Sequence, residues 1–139
     1  MLRIPRALLA DAHAHAHAEA PREACGLLAG REEGEARIVT HLFRVRNAAP
    51  DPERTYLLDP EEMLRVVLHV EDELGLDVLG FYHSHPAGPA RFSGTDAARA
   101  SWPGASYLLV HLAPHEGHLA ARWGAAEARF VDEAVVPTT

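Results

Sequence analysis

The sequence predicts a mixed α/β fold, with helices and strands layered around one core. Two observations carry this expectation. Stretches rich in β-branched and apolar residues are interspersed with alanine-rich or amphipathic stretches along the chain. Several strand-like stretches also follow one another across connections too short for a crossover, so parallel and antiparallel neighbours should share one sheet. The 139 residues suit one domain, 1–139, and no linker, repeat or low-complexity break divides them. A domain of this size buries roughly two-thirds of the surface its unfolded chain exposes.

Taken in order, residues 6–19 are alanine-rich and are expected to form a helix that stops before Pro21. "EACGLLAG" (23–30) reads as a buried strand closed by glycine, and "EARIVTHLFRVRNA" (35–48) as a second strand. "APDPERT" is a turn-rich loop and "TYLL" (55–58) a short strand. A helix is expected over 59–75, with Asp59 as its cap, Pro60 at its first position, acids in its first turn and Gly75 at its end. "LDVLGFYHSH" (76–85) reads as a strand. "SGTDAARAS" (93–101) reads as a short helix stopped near Pro103. Residues 106–113, "HLAARWGA" (118–125) and "EARFVDEAVV" (127–136) complete the chain as strands.

Composition excludes several function classes. The net charge is −7 with no long like-charge block, which argues against a nucleic-acid binder working through a basic face. No stretch approaches the ~20 apolar residues of a membrane span. The early "RALLA" run is broken by Asp11 and by histidines, unlike a secretory leader. Cys25 is the single cysteine, so no disulfide can form within the chain, which fits a reducing cytoplasm. All 13 basic residues are arginine, glutamine is absent, Asn47 is the one asparagine, and there are ten prolines. Few amides and many prolines suit a heat-adapted protein. The missing lysine is less typical of heat adaptation, and a GC-rich coding bias explains the same facts.

The chemistry lies in "HSHPAGPARFSGTD", residues 83–96. On a strand His83 and His85 project from one face, about 6.5–7 Å apart along the chain. Two imidazoles can share one zinc at about 2.0–2.1 Å. Alone, such a pair is usually an ordinary pair. Pro86, Gly88 and Pro89 then turn the chain out of the strand, and Ser93 opens a helix with Asp96 in its first turn. Ser-x-x-Asp reads first as a capping box. A loop that returns this helix start to the strand end would make two histidines and one carboxylate converge. Three protein ligands plus a water is the arrangement of a catalytic zinc.

The whole pattern is His-x-His, seven residues, Ser, two residues, Asp. It resembles the JAMM motif of the MPN+ metalloprotease family, which also places a glutamate at the start of an upstream strand. Here "PREACGLLAG" supplies Glu23. The resemblance runs from the alanine-rich helix to the strand at 106–113, and no motif position departs from it. It implies a cytidine-deaminase-like fold, a curved mixed sheet flanked by helices. It implies Zn2+ held by His83, His85 and Asp96, Glu23 as general base and then general acid, and Ser93 as oxyanion support. A zinc lowers the pKa of its water to about 7, within reach of a nearby carboxylate. The substrates it implies are conjugates of a ubiquitin-like or sulfur-carrier protein, cut after the C-terminal Gly-Gly. A homodimer is left open; no nucleic-acid or membrane partner is expected.

Two rival readings stay in view. A metal-free MPN scaffold would lack one or more motif residues, and all five are present. A RadC-like protein usually carries Asn between the histidines, where Ser84 stands. Other residues are read as ordinary. Cys25 is taken as a buried structural cysteine. His13, His15 and His17 are taken as a solvated stretch in which only His13 and His17 share a helix face. His41, His69, His111, His115 and His118 have no partner spacing, and Trp102 and Trp123 are read as packing.

Overall fold

The computed structural model describes residues 1–100 and 102–139. Among the described residues, eight strands form one sheet: β1 (Leu2–Pro5), β2 (Cys25–Glu33), β3 (Ala36–Val45), β4 (Asp77–His85), β5 (Ser106–His111), β6 (Gly117–Gly124), β7 (Arg129–Glu133) and β8 (Val135–Thr138). Their spatial order is β7-β6-β5-β4-β2-β3-β1-β8. The sheet is mixed, as expected. β4 runs parallel to β5, and β1 runs parallel to both β3 and β8; the remaining pairs are antiparallel. Among the described residues three α-helices accompany it: α1 (Arg6–Glu19), α2 (Pro60–Leu68) and α3 (Gly94–Arg99). No helix among the described residues is long and apolar enough to cross a membrane.

Several expectations need correction. The strand β1 has no counterpart in the sequence reading, because four residues offer too little alternation to register. The stretch 127–136 is two strands, β7 and β8, separated at Ala134 and sent to opposite edges of the sheet. The segment 55–58 contributes only one bridge, Leu58 to Asn47. The helix over 59–75 begins as expected: the Asp59 carboxylate accepts from the Glu61 and Glu62 amides. Its last turn, His69–Glu73, widens to a π-helix, and Gly75 ends it at a φ of 65° that suits glycine. Ser101, the end of the expected third helix, lies outside the described residues.

Alternation along the central strands sends side chains into two separate apolar clusters. Leu28, Tyr82 and Leu108 face α1, where Leu9, Ala12 and Ala16 pack with Leu2 and Ile4. Leu27, Phe81 and Tyr107 face the other way, toward Val45, Tyr56 and Val70. His83 and His85 continue the Phe81 face by the same alternation. A polar contact ties α1 to its cluster: His15 Nδ1 lies 2.7 Å from the Tyr82 hydroxyl, and both residues are buried.

The parallel pair β4–β5 comes very close at Gly80. A Cβ built there would stand 1.8 Å from the Ser106 carbonyl oxygen, a backbone atom that cannot swing aside. Gly80→Ala is therefore expected to force these strands apart. The loss of stability should be roughly 2–3 kcal/mol, read as a lower urea midpoint at unchanged slope. An unchanged midpoint would show that β4 and β5 can separate here at no cost.

Candidate functional site

The site is assembled where the end of β4 meets the beginning of β2. In this antiparallel pair Cys25 stands opposite His83. Just beyond it, the Ser84 amide donates to the Ala24 carbonyl at 3.0 Å, and the Ala24 amide donates to the Ser84 hydroxyl at 2.7 Å. Glu23, the preceding residue, is thereby carried alongside the histidines. Its own amide donates to the Pro52 carbonyl at 2.7 Å.

The chain leaves β4 at His85, turns through the Pro-Gly loop, and returns at α3. The capping box is present: the Asp96 amide donates to Ser93 Oγ at 3.0 Å, and the Ser93 amide donates to Asp96 Oδ2 at 2.7 Å. The cap also aims the carboxylate. Oδ1 lies 3.2 Å from His83 Nε2, and Oδ2 lies 3.1 Å from His85 Nε2. One potential ligand atom from each of Glu23, His83, His85 and Asp96 falls within 4.8 Å of the others, and all four residues are buried. Ser93 is half-buried at the rim. With Glu23 and His85 it lines a cleft of about 410 Å³, walled by Pro86, Gly88 and Pro89.

Three residues that the sequence reading passed over hold this arrangement. Ser84 is the β4-to-Ala24 fastening. Tyr56 stacks on the His83 ring, with centroids 4.3 Å apart and planes 19° from parallel. Asn47 organises the loop that presents Tyr56. Its amide nitrogen donates to the carbonyls of Glu23 and Thr55 at 2.9 and 3.1 Å, and its oxygen accepts from the Ala49 and Leu57 amides at 3.0 and 3.1 Å. The chain is thus gripped on both sides of Tyr56. The only signal in the sequence was that Asn47 is the sole asparagine.

The electrostatics are those of a pocket built for a cation. Burial pushes the Glu23 carboxyl up to about 7, with His85 opposing and Asp96 adding to the rise. Burial also works to raise Asp96, but contacts from His83 and His85 and the Ser93 amide overcome it and hold Asp96 well below the usual carboxylate range. Burial draws the His83 pKa below its usual value, with Asp96 opposing. His85 Nδ1 donates to the Pro89 carbonyl at 2.9 Å, which fixes its tautomer and turns Nε2 toward Asp96. Glu23 Oε1 and both ring nitrogens of His83 are buried without a hydrogen-bond partner; the approach of His83 to Asp96 is close but not aligned as a hydrogen bond. Unpartnered buried polar atoms are costly. Two imidazoles and two carboxylates with unused lone pairs fit a divalent metal ion.

Outside this cluster the other candidates divide. Cys25 is buried, its Sγ lies 3.5 Å from the Val45 carbonyl, and burial pushes its thiol up to about 12, which suits a structural role. The histidine tract departs from the solvated stretch expected. Only His17 is well exposed; His15 is buried against Tyr82, and His13 is half-buried against His118, so His118 has a partner after all. Trp102 and Trp123 pack edge-on against Phe81 and Phe130, as expected.

Residues 5–124 match the family described as prokaryotic homologs of the JAB domain. The chain is 40% identical over 129 residues to a desampylase of Haloferax volcanii, covering 93% of this chain and 89% of that protein. It is 42% identical over 102 residues to a probable TtuB-protein conjugate cleaving protease of Thermus thermophilus, covering 73% of this chain and 65% of that one. It is 42% identical over 100 residues to a CysO-cysteine peptidase of Mycobacterium tuberculosis, covering 71% and 66%. A Desulfitobacterium hafniense protein solved in solution superposes with a TM-score of 0.88 at 33% identity, over 99% of this chain and 93% of that one. A JAB1/MPN domain protein of Archaeoglobus fulgidus shares the fold, with a TM-score of 0.61 at 20% identity over 97% of each chain.

The role of Asn47 can be tested without touching the buried cluster. In Asn47→Asp an acceptor replaces the donor that faces the Glu23 and Thr55 carbonyls. The loop carrying Tyr56 should loosen, at a cost on the order of 2 kcal/mol, and the 47–58 amides should exchange faster with solvent. Wild-type stability and exchange in this variant would show that the loop holds its shape without the Asn47 amide.

Proposed function

The chain belongs to the prokaryotic homologs of the JAB domain, and from that premise we propose that it is a zinc-dependent peptidase. Its substrates are conjugates of a ubiquitin-like or sulfur-carrier protein, and the scissile bond is the amide after the C-terminal Gly-Gly. The observation that carries this reading is the buried convergence of Glu23, His83, His85 and Asp96 beside an open cleft. A scaffold that only mediates assembly has no use for buried imidazole and carboxylate atoms left without partners. The names of its relatives, desampylase, probable TtuB-protein conjugate cleaving protease and CysO-cysteine peptidase, support that substrate class. The leaving group is either a lysine side chain or a free amino acid such as cysteine.

In this mechanism His83, His85 and Asp96 would hold the zinc ion, which would supply Lewis acidity and lower the pKa of a water there toward neutral. Glu23 takes the proton of the attacking water, and then delivers it to the departing amine. A buried carboxyl group beside the attacking water can serve in both halves of that task, as base and then as acid. Ser93 Oγ already accepts from the Asp96 amide, so its O–H is free to donate to the oxygen that becomes negative during attack. Residues 1–139 act as one domain in this reading, which the pairing of β1 with β8 in a single sheet supports. A cytoplasmic location suits the single buried cysteine.

Substitutions should separate binding from chemistry. Glu23→Gln keeps the shape and removes the base; it should retain zinc while hydrolysis falls on the order of 10²–10⁴-fold. Ser93→Ala should cost roughly 10²–10³-fold in turnover and about 1 kcal/mol through the lost cap. His83→Ala should lose the metal itself, as read by metal analysis of untagged protein. Near-normal turnover by Glu23→Gln would sink the assigned mechanism.

The substrate is checked by a cleavage panel of carrier-protein fusions. Gly-Gly-linked conjugates should be hydrolysed, chelators should abolish the activity, and changing the last glycine to valine or leucine should leave little. Equal cleavage of unfolded peptides without Gly-Gly would keep the chemistry and overturn the substrate.

A further inference from the structure

We infer that His13, His17 and Glu116 form a second metal site, for a divalent transition ion such as zinc, where α1 meets the turn leading into β6. His13 and His17 lie one helical turn apart and share a face of α1. Glu116, a hundred residues further along the chain, reaches up between them. Its Oε2 lies 2.7 Å from His13 Nδ1, and its Oε1 lies 2.5 Å from His17 Nε2. Each carboxylate oxygen therefore already has an imidazole nitrogen in contact. A third ring stands behind the first: His13 Nε2 is 3.0 Å from His118 Nδ1 on β6. Contacts with His17 and His13 lower the Glu116 pKa from its usual value.

The chemistry of these four groups is that of a metal site with its support in place. In the contacts seen, His13 Nδ1 and His17 Nε2 each carry a proton toward Glu116, and a metal ion can take the place of both protons. Ligand atoms around a tetrahedral zinc, at about 2.0–2.1 Å from it, stand on the order of 3.3 Å apart. The contacts at 2.5–2.7 Å need to open by less than about 1 Å, while the two imidazoles, each now on its own carboxylate oxygen, must draw closer together to share one ion. His17 and Glu116 have 58% and 43% of their side chains exposed, so they are free to make that adjustment and to leave a position for water. Ligation through Nδ1 leaves the His13 Nε2–H to donate to His118 Nδ1. That is the support a ligating histidine characteristically has. Burial, with His13 and His111 adding, holds the His118 pKa below its usual value. Imidazole and carboxylate together suit zinc, copper or nickel over calcium. An ion here would staple α1 to the β5–β6 hairpin, and the site shares no residue with the buried cluster.

The experiment uses untagged full-length protein, stripped of metal and titrated with zinc alone. Bound zinc is read by calorimetry and by metal analysis after desalting, and the thermal midpoint is followed in parallel. The wild type should take up two ions per chain, and the H13A/H17A double variant one. Glu116→Gln and His118→Ala should each weaken the second ion by roughly 10-fold or more. Zinc should raise the thermal midpoint of H13A/H17A less than that of the wild type. His85→Ala should show the complementary loss, keeping the ion that H13A/H17A gives up, so the two sites are distinguished whatever the fate of the first. Equal zinc uptake by wild type and H13A/H17A would overturn the site. Should that variant fold poorly, wild-type affinity for both ions in Glu116→Gln would overturn it equally.

Discussion

The antiparallel pairing of β2 with β4, in the register that sets Cys25 opposite His83, underlies everything else at the buried cluster. Side chains alternate along a strand, so a slip of one residue would turn His83 and His85 to the α1 face and bring Ser84 in their place. The register is held from three sides. Both strands bury alternate side chains in two separate clusters, so any slip misplaces both sets. The reciprocal Ser84–Ala24 hydrogen bonds fix the end of the pairing where Glu23 leaves β2. Gly80, pressed against Ser106, fixes β4 against its other neighbour.

On this frame, single side chains serve both folding and chemistry. Asp96 closes the first turn of α3 and points its oxygens at two imidazoles; the cap makes the helix start rigid, and rigidity is what a ligand needs. Asn47 works the same way at one remove. It holds the backbone on either side of Tyr56, and Tyr56 closes over the His83 ring. A capping role and a ligand role for Asp96 are therefore not alternatives. The same hydrogen bond serves both.

What the sequence made legible follows from where the information is local. Asp59, Pro60 and Gly75 announced the helix between them, because capping and positive φ are decided by a few adjacent residues. His83, His85, Ser93 and Asp96 could be picked out because strand alternation and a helix start fix directions over short spans. Glu23 was different: sixty residues separate it from His83, and only the resemblance to a known motif drew it in. Nothing local marked Ser84, whose importance depends on which strand lies beside it, or Tyr56, which acts through a ring it could not be known to face. β1 was missed, and β8 was run together with β7, for a related reason. Each has four residues and gains its identity from the other, across the full length of the chain. His118 looked solitary because its partner, His13, lies near the other end of the chain.

The state of Cys25 has a consequence for how such a hydrolase meets its surroundings. Thiols are attacked by peroxide and by alkylating agents as thiolates, and only where solvent can bring the reagent. Cys25 is closed off on both counts, packed in the strand beside the buried cluster with its proton held tightly. It is also the only cysteine in the chain. The chain therefore offers thiol-directed oxidants and inhibitors no accessible thiolate, unlike a peptidase whose nucleophile is a cysteine.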